Sequence, residues 1–250
     1  MTMPVGVAWI LSALASLLAG RWISLFAPAL LAHLEAQWLF EARGDENTVL
    51  NRSPSLVKMA LRNWCQARSL IPLCRNRKQH LAWEVATLLA SLIALYQLGM
   101  GVDGWAAVGI TWILMTLIKT DLSNFLLPDC LVYPLLWAGL LWRATGHGDA
   151  IDGIYGAFFG YAVLWAIAEG YGALRGMKMM GNGDYKLTAA LGAWLGWQAL
   201  PLMILSACAI ALVLVVLLTK IRRTSLGNPI PFGPALAMAG WGFLIIPFHG

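Results

Sequence analysis

MGNGDYKLTAALGAWLGW, residues 180 to 197, opens with Gly-x-Gly-Asp and continues as an almost wholly apolar helix. Glycines at 181 and 183 predict a turn with positive φ and room for another segment to come close. Asp184 falls on the first helical turn, where free N–H groups and the helix dipole favour an anion. Taken alone, those four residues read as a glycine loop with an Asp N-cap. The chain around them changes the reading, because a carboxylate at the edge of hydrocarbon is costly and usually functional.

That surrounding chain is too apolar for one soluble domain. Of 250 residues, 60% are hydrophobic and 12% are charged, and the mean hydropathy is +0.70; the composition is that of an all-α, polytopic membrane protein. The net charge of +5 lies in loops between apolar runs and not along one amphipathic face, so nucleic acid is excluded as a partner and the lipid bilayer is expected. Cys65, Cys74, Cys130 and Cys208 form no Cys-x-x-Cys pair, so neither a disulfide framework nor a metal site is expected. The N-terminus has no basic segment and no small-residue cleavage site after its apolar run, which predicts a retained first span.

With about 20 apolar residues per crossing, and fewer where helices are broken, eight spans are predicted: 5–26, 81–99, 104–119, 128–143, 151–170, 186–199, 201–219 and 231–247. Only Gln198 to Pro201 separates the sixth from the seventh, and merging them would leave seven. The basic residues decide between the two counts. With eight spans, all of the 17 lysines and arginines except Arg21 and Arg143 fall on one side. By the positive-inside rule that side is cytoplasmic and both termini lie outside. The long first loop, Ala36 to His80, reads as a basic, lipid-facing subdomain. Domain organisation is expected to be 1–100, holding the first two spans and this loop, and 101–250, holding the rest.

The eight-span layout puts Asp121, Asp129 and Asp184 on the cytoplasmic side. Pro128 and Asp129 read as a helix start, with proline in the first helical position and an acid in the first turn. Asp121 reads differently, since a carboxylate at the end of a helix faces the negative end of the dipole and calls for a partner, such as Lys119, or for a function.

Three blocks carry a resemblance to a known family. Thr120–Trp142, TDLSNFLLPDCLVYPLLWAGLLW, Met180–Trp197 as quoted, and Ile230–Gly240, IPFGPALAMAG, are similar to the type IV prepilin leader peptidases, membrane aspartic proteases of the Gly-x-Gly-Asp class. The resemblance covers about 100 to 250. It implies that Asp121 and Asp184 form the catalytic pair, with Gly181, Gly183, Lys186, Pro128 and Asp129 supporting the site or binding substrate. It implies an inner-membrane endopeptidase that removes the basic leader from prepilins or pseudopilins at the cytoplasmic face, for pilus biogenesis or type II secretion. Longer members carry two Cys-x-x-Cys pairs in the first loop, associated with metal binding and with S-adenosylmethionine-dependent N-methylation. Here only Cys65 and Cys74 are present, and LAGRWISLFAPALLAHL, residues 18–34, is a distant echo of the stretch preceding that loop, although Glu84 resembles the acid that closes it. The peptidase is therefore expected to need no cofactor, and S-adenosylmethionine is implied only with a retained methyltransferase.

The chemistry agrees with this on its own terms. Two carboxylates about 3 Å apart in a shielded site share one proton, so that one activates water and the other polarises a carbonyl. His33, His80, His147 and His249 show no triad or ligand spacing, which leaves serine, cysteine and zinc mechanisms without parts. Helix position further predicts that Asp184 is the ionised partner and Asp121 the protonated one. Two alternatives stand beside the main reading. One is an intramembrane aspartyl protease of the presenilin or signal peptide peptidase type, which carries Tyr-Asp in mid-span where this chain has Thr120-Asp121 at a span's end. The other is a proton-coupled carrier using Asp121, Asp129 and Asp184 as a relay, which calls for repeat symmetry and a polar path that the sequence does not display.

Overall fold

A computed structural model describes residues 5–41, 77–175, 180–222 and 231–246. Among the described residues it is built of eight α-helices. They are α1 (Val5–Glu41), α2 (Arg77–Leu98), α3 (Val102–Asn124), α4 (Asp129–Trp142), α5 (Ala150–Arg175), α6 (Asn182–Leu195), α7 (Leu200–Arg222) and α8 (Gly233–Ile245). A π-helical turn, Arg143–His147, extends α4. Stretches within α2, α3 and α5 are long and apolar enough to cross a bilayer: Leu81–Leu98, Val102–Asn124 and Ala150–Leu174. Shorter apolar stretches occur at Ala8–Ser24, Leu200–Val216 and Gly233–Ile245.

The helices differ from the predicted spans mainly at their ends. Hydropathy marks where hydrocarbon stops, whereas helix continues for as long as the residues favour it. After the first apolar run, AHLEAQWLFE is rich in Ala, Leu, Glu and Gln and extends α1 to Glu41, five residues past the predicted loop start. The rest of that loop before Arg77, including Cys65 and Cys74, lies outside the described residues. The sixth and seventh predicted spans are separate helices, divided at Gly196, whose φ of 85° is one few other residues adopt.

Two compact units are present, Met1–Ala90 and Ser91–Gly250. In the first, α1 approaches α2 so closely at Gly20 that a Cβ there would stand 2.7 Å from the Glu84 Cα. The second unit is arranged around α6. Nine of its residues, from Asp184 to Ala193, are buried, and its neighbours are α4, α5 and α8. Against α5 the contact is a seam of small residues: a Cβ on Gly156 would strike the Gly192 carbonyl, one on Gly192 would strike that of Gly156, and one on Gly160 would lie 2.7 Å from the Thr188 oxygen. Such a seam lets backbones touch, which is how helices associate where lipid supplies no hydrophobic drive. Against α4, the ring of Trp194 fills the space above Gly139, and its Nε1–H donates to the Leu135 carbonyl at 2.8 Å.

The apolar core of this unit joins Leu114 and Leu117 of α3, Leu135 of α4, Leu187 and Leu191 of α6, Met203 of α7 and Leu236 of α8, all buried. At the C-terminal end of α6, Arg143 Nη1 donates to the Trp194 carbonyl at 2.9 Å, and its Nε donates to that of Asp149 at 2.9 Å. This guanidinium satisfies one of the carbonyls that a helix end leaves without partners.

Candidate active site

The last turn of α3 and the first turn of α6 each carry a buried carboxylate. Asp121 is 5% exposed and Asp184 is 8% exposed. They are near enough for the charge of Asp121 to act on Asp184. Asp121 lies one turn before the end of α3, where Phe125 takes a left-handed φ of 55° and donates its N–H to the Asp121 carbonyl at 2.9 Å. This left-handed cap ends α3 one turn after the acid and turns the chain towards Pro128.

The Gly-x-Gly-Asp turn differs from the predicted one. Gly181 is the N-cap of α6 with φ −74°, and Asn182, Gly183 and Asp184 are its first three residues. Neither glycine has a positive φ, and Asp184 is not the cap. Gly183 is needed for closeness: a Cβ there would stand 2.8 Å from that of Leu127. Gly181 has only ordinary contact at 3.6 Å, with Asp184 Oδ2, and its backbone N–H points at the Asp184 carboxyl group.

Asp121 meets a helix N-terminus as well. The N–H of Gly233, the first residue of α8, points at its carboxyl group. A Cβ on Gly233 would stand 2.6 Å from Asp121 Oδ2. Oδ2 itself is buried with no hydrogen-bond partner among the described residues. A buried acceptor in that state is expensive and is best explained by a role with a proton or with a bound carbonyl. The contrast between two helix ends, on which the assignment of the ionised and protonated partners rested, is therefore absent. Both acids are similarly buried and each faces a helix N-terminus, Asp184 that of its own helix and Asp121 that of α8.

The remaining site residues gather beside this pair. Pro128 is the N-cap of α4, one position before the expected first helical residue, and Asp129 begins the helix. Lys186 does not turn towards the acids: its Nζ donates to Asp129 Oδ1 at 2.8 Å and Oδ2 at 2.7 Å. Asp129 is thus held as half of an ion pair, which speaks against a three-carboxylate relay. Sequence reasoning did not single out Gly233 or Leu127. Both stand in the quoted blocks, and a glycine just before a helix-starting proline is the one local signal for the first.

Comparison with known proteins gives a consistent result. The model of the type IV leader peptidase family matches residues 108–217, a range that includes both acids. A prepilin leader peptidase/N-methyltransferase from Aeromonas hydrophila is 35% identical over 263 residues, covering 94% of this chain and 91% of the relative. Proteins of the same description from Aeromonas salmonicida (strain A449) and Pseudomonas aeruginosa are 44% and 42% identical over 159 residues, spanning 63% of this chain and 55% of each relative. No solved structure matches significantly.

Proposed function

This chain belongs to the type IV leader peptidase family, and from that premise we propose that it is a membrane aspartic endopeptidase that removes the leader peptide from prepilins or pseudopilins. The observation that carries the reading is that Asp121 and Asp184 are two buried carboxyls from different helices within reach of each other's charge, one with an oxygen that no group among the described residues satisfies.

Two buried carboxyls that feel each other's charge resist ionising together, and the reaction needs them to hold one proton between them. The ionised one takes a proton from water as the water oxygen attacks the scissile carbonyl carbon, while the protonated one gives its hydrogen to the carbonyl oxygen. The tetrahedral intermediate then collapses, the C–N bond breaks, and the leaving amine takes a proton from the dyad. Amides of Gly181 and Gly233 hold the two carboxyls in place without titrating themselves. No cofactor enters this reaction. S-adenosylmethionine belongs with the N-methyltransferase named in the relatives.

The eight helices are read as eight crossings of the bacterial inner membrane, with both termini periplasmic and the acids at the cytoplasmic face, where a basic leader would lie. α6, at 14 residues, is only about 21 Å long, shorter than a hydrocarbon core of about 30 Å. Its surroundings of protein rather than lipid make that tolerable. Residues 101–250 form the peptidase domain, and 1–100 a region related to the methyltransferase part of longer members. The products serve pilus assembly or type II secretion.

The test is cleavage of a prepilin by purified protein in detergent. Wild type is expected to release the leader. Asp121→Asn and Asp184→Asn are expected to be inactive while still accumulating in the membrane, because each change removes a proton-transfer partner and almost no volume. Full activity in either variant would overturn the assignment.

A further inference from the structure

The connection from α3 to α4 does more than link them. Leu127 lies against both glycines that flank the acids: its Cβ is 2.8 Å from where a Cβ on Gly183 would stand, and its Cδ1 is 3.3 Å from the same position on Gly233. It thus fills the notch between the first turns of α6 and α8. Two residues on, Asp129 receives Lys186 Nζ on both carboxylate oxygens, and the same ammonium lies 5.3 Å from the centre of the Tyr133 ring, one turn further along α4. Gly183 and Lys186 are three residues apart and therefore share one face of α6. Asp184 is rotated by about 100° from Gly183 and by about 160° from Lys186. One side of the turn is gripped by the connection, and the adjacent side presents the acid.

We propose that Leu127, Asp129 and Lys186 form a clasp that sets the position of Asp184 opposite Asp121, with the Lys186–Asp129 ion pair as its closure. This deepens the reading of the site as a peptidase and rests on it. All three are positioning residues; none touches the reacting atoms. The alternative, that the ion pair is a solvated surface contact, makes a different prediction. The two side chains are 26% and 50% exposed, and an exposed pair adds little to global stability. Losing the clasp is therefore expected to leave the melting temperature nearly unchanged. A small displacement of a reacting group, however, reduces rate steeply, on the order of a hundredfold per ångström. Loss of rate without loss of stability distinguishes a clasp from an ornamental contact.

The experiment uses the full-length protein in detergent, with a prepilin as substrate, and the variants Asp129→Asn, Lys186→Met, the double change, Lys186→Arg and the exchange Asp129→Lys with Lys186→Asp. Each single neutralisation is expected to lower kcat about tenfold at unchanged KM and unchanged melting temperature. The double neutralisation should be no slower than either single, because the pair acts as one unit. Lys186→Arg, and to a lesser degree the exchange, should recover most of the rate.

Wild-type kcat in both single variants would overturn the clasp, as would additive losses in the double. So would a loss in Lys186→Met that Asp129→Asn does not share, since it would place the ammonium on the substrate. A second readout needs no activity. Amide hydrogen exchange across 182–186 should speed up severalfold in both single variants and return towards wild type in Lys186→Arg; unchanged exchange would equally overturn the proposal. Failure of the wild type to cleave prepilin would defeat the peptidase reading, and hydrogen exchange would still judge the clasp.

Discussion

The Asp121 carboxyl occupies the space that a side chain on Gly233 would need, with Oδ2 only 2.6 Å from the position of the missing Cβ. α3 and α8, 112 residues apart in the chain, therefore meet at one acid and one hydrogen atom. A methyl group at 233 can be admitted only by moving the carboxyl or the first turn of α8. Gly233→Ala is expected to lower kcat by about a hundredfold, since it displaces a reacting group. Gly181→Ala is expected to stay within a few-fold of wild type, because its φ is ordinary and a Cβ there meets Asp184 Oδ2 at 3.6 Å. Leader cleavage by the two variants checks this, and equal losses would mean that the Gly181 loop, not crowding at Asp121, governs the site.

The seam between α5 and α6 sets a stability prediction. Gly156 and Gly192 each leave no room for a Cβ because the carbonyl of the other stands there. Gly156→Ala is expected to destabilise the fold by about 1–3 kcal/mol, the usual range for overpacking, and to lower activity by shifting α6 with its acid. Gly109→Ala in α3 has nothing within 4 Å of the new methyl and should be neutral or slightly stabilising, as alanine favours helix over glycine. Thermal unfolding in detergent, followed by circular dichroism, separates the two.

Cleavage should proceed without S-adenosylmethionine and survive strong chelators, and Cys65→Ser with Cys74→Ser should leave proteolysis largely intact. A structural thiolate site would need about four ligands, and the first loop offers two cysteines. Loss of leader cleavage on adding chelator would require a metal that the dyad chemistry does not use.

If the eight helices make eight crossings, as proposed, a reporter fused after Gly250 is expected to read periplasmic and a cysteine introduced near Arg175 to be labelled from the cytoplasm alone. A cytoplasmic C-terminus would remove one crossing from the count.

Much of this was legible in the chain because its signals are local. Apolar run lengths gave the order of eight helices, and Gln198 to Pro201 marked a break that falls slightly earlier, at 196–199, with Pro201 already in the first turn of α7. Asp121 and Asp184 stood out as acids where hydrophobic helices end or begin. What was not legible depended on which distant segment lies alongside. The Lys186–Asp129 pair joins residues 57 apart; nothing near Lys186 reveals that its ammonium turns to α4 and not to the acids. The positive φ expected at Gly181 and Gly183 was a wrong inference from a sound premise. Glycine tolerates that backbone, but it is equally the residue that lets Leu127 come close, and only the packing tells which property is used. Asp121 does end a helix, as its place in the chain shows, but the start of α8 that faces it is 112 residues away and leaves no local trace.

One consequence of the core concerns electrical tightness. A membrane enzyme that keeps two exchangeable acids at one end of its helices risks becoming a leak. Here Leu114 and Leu117 lie one to two turns behind Asp121, Leu187 and Leu191 follow Asp184 on α6, and Leu236 follows Gly233 on α8. All are fully or almost fully buried and belong to one cluster. Behind the acids these side chains set a layer of hydrocarbon, which gives a proton no group to move to. The same leucines that build the core thus put hydrocarbon directly behind the pair of acids.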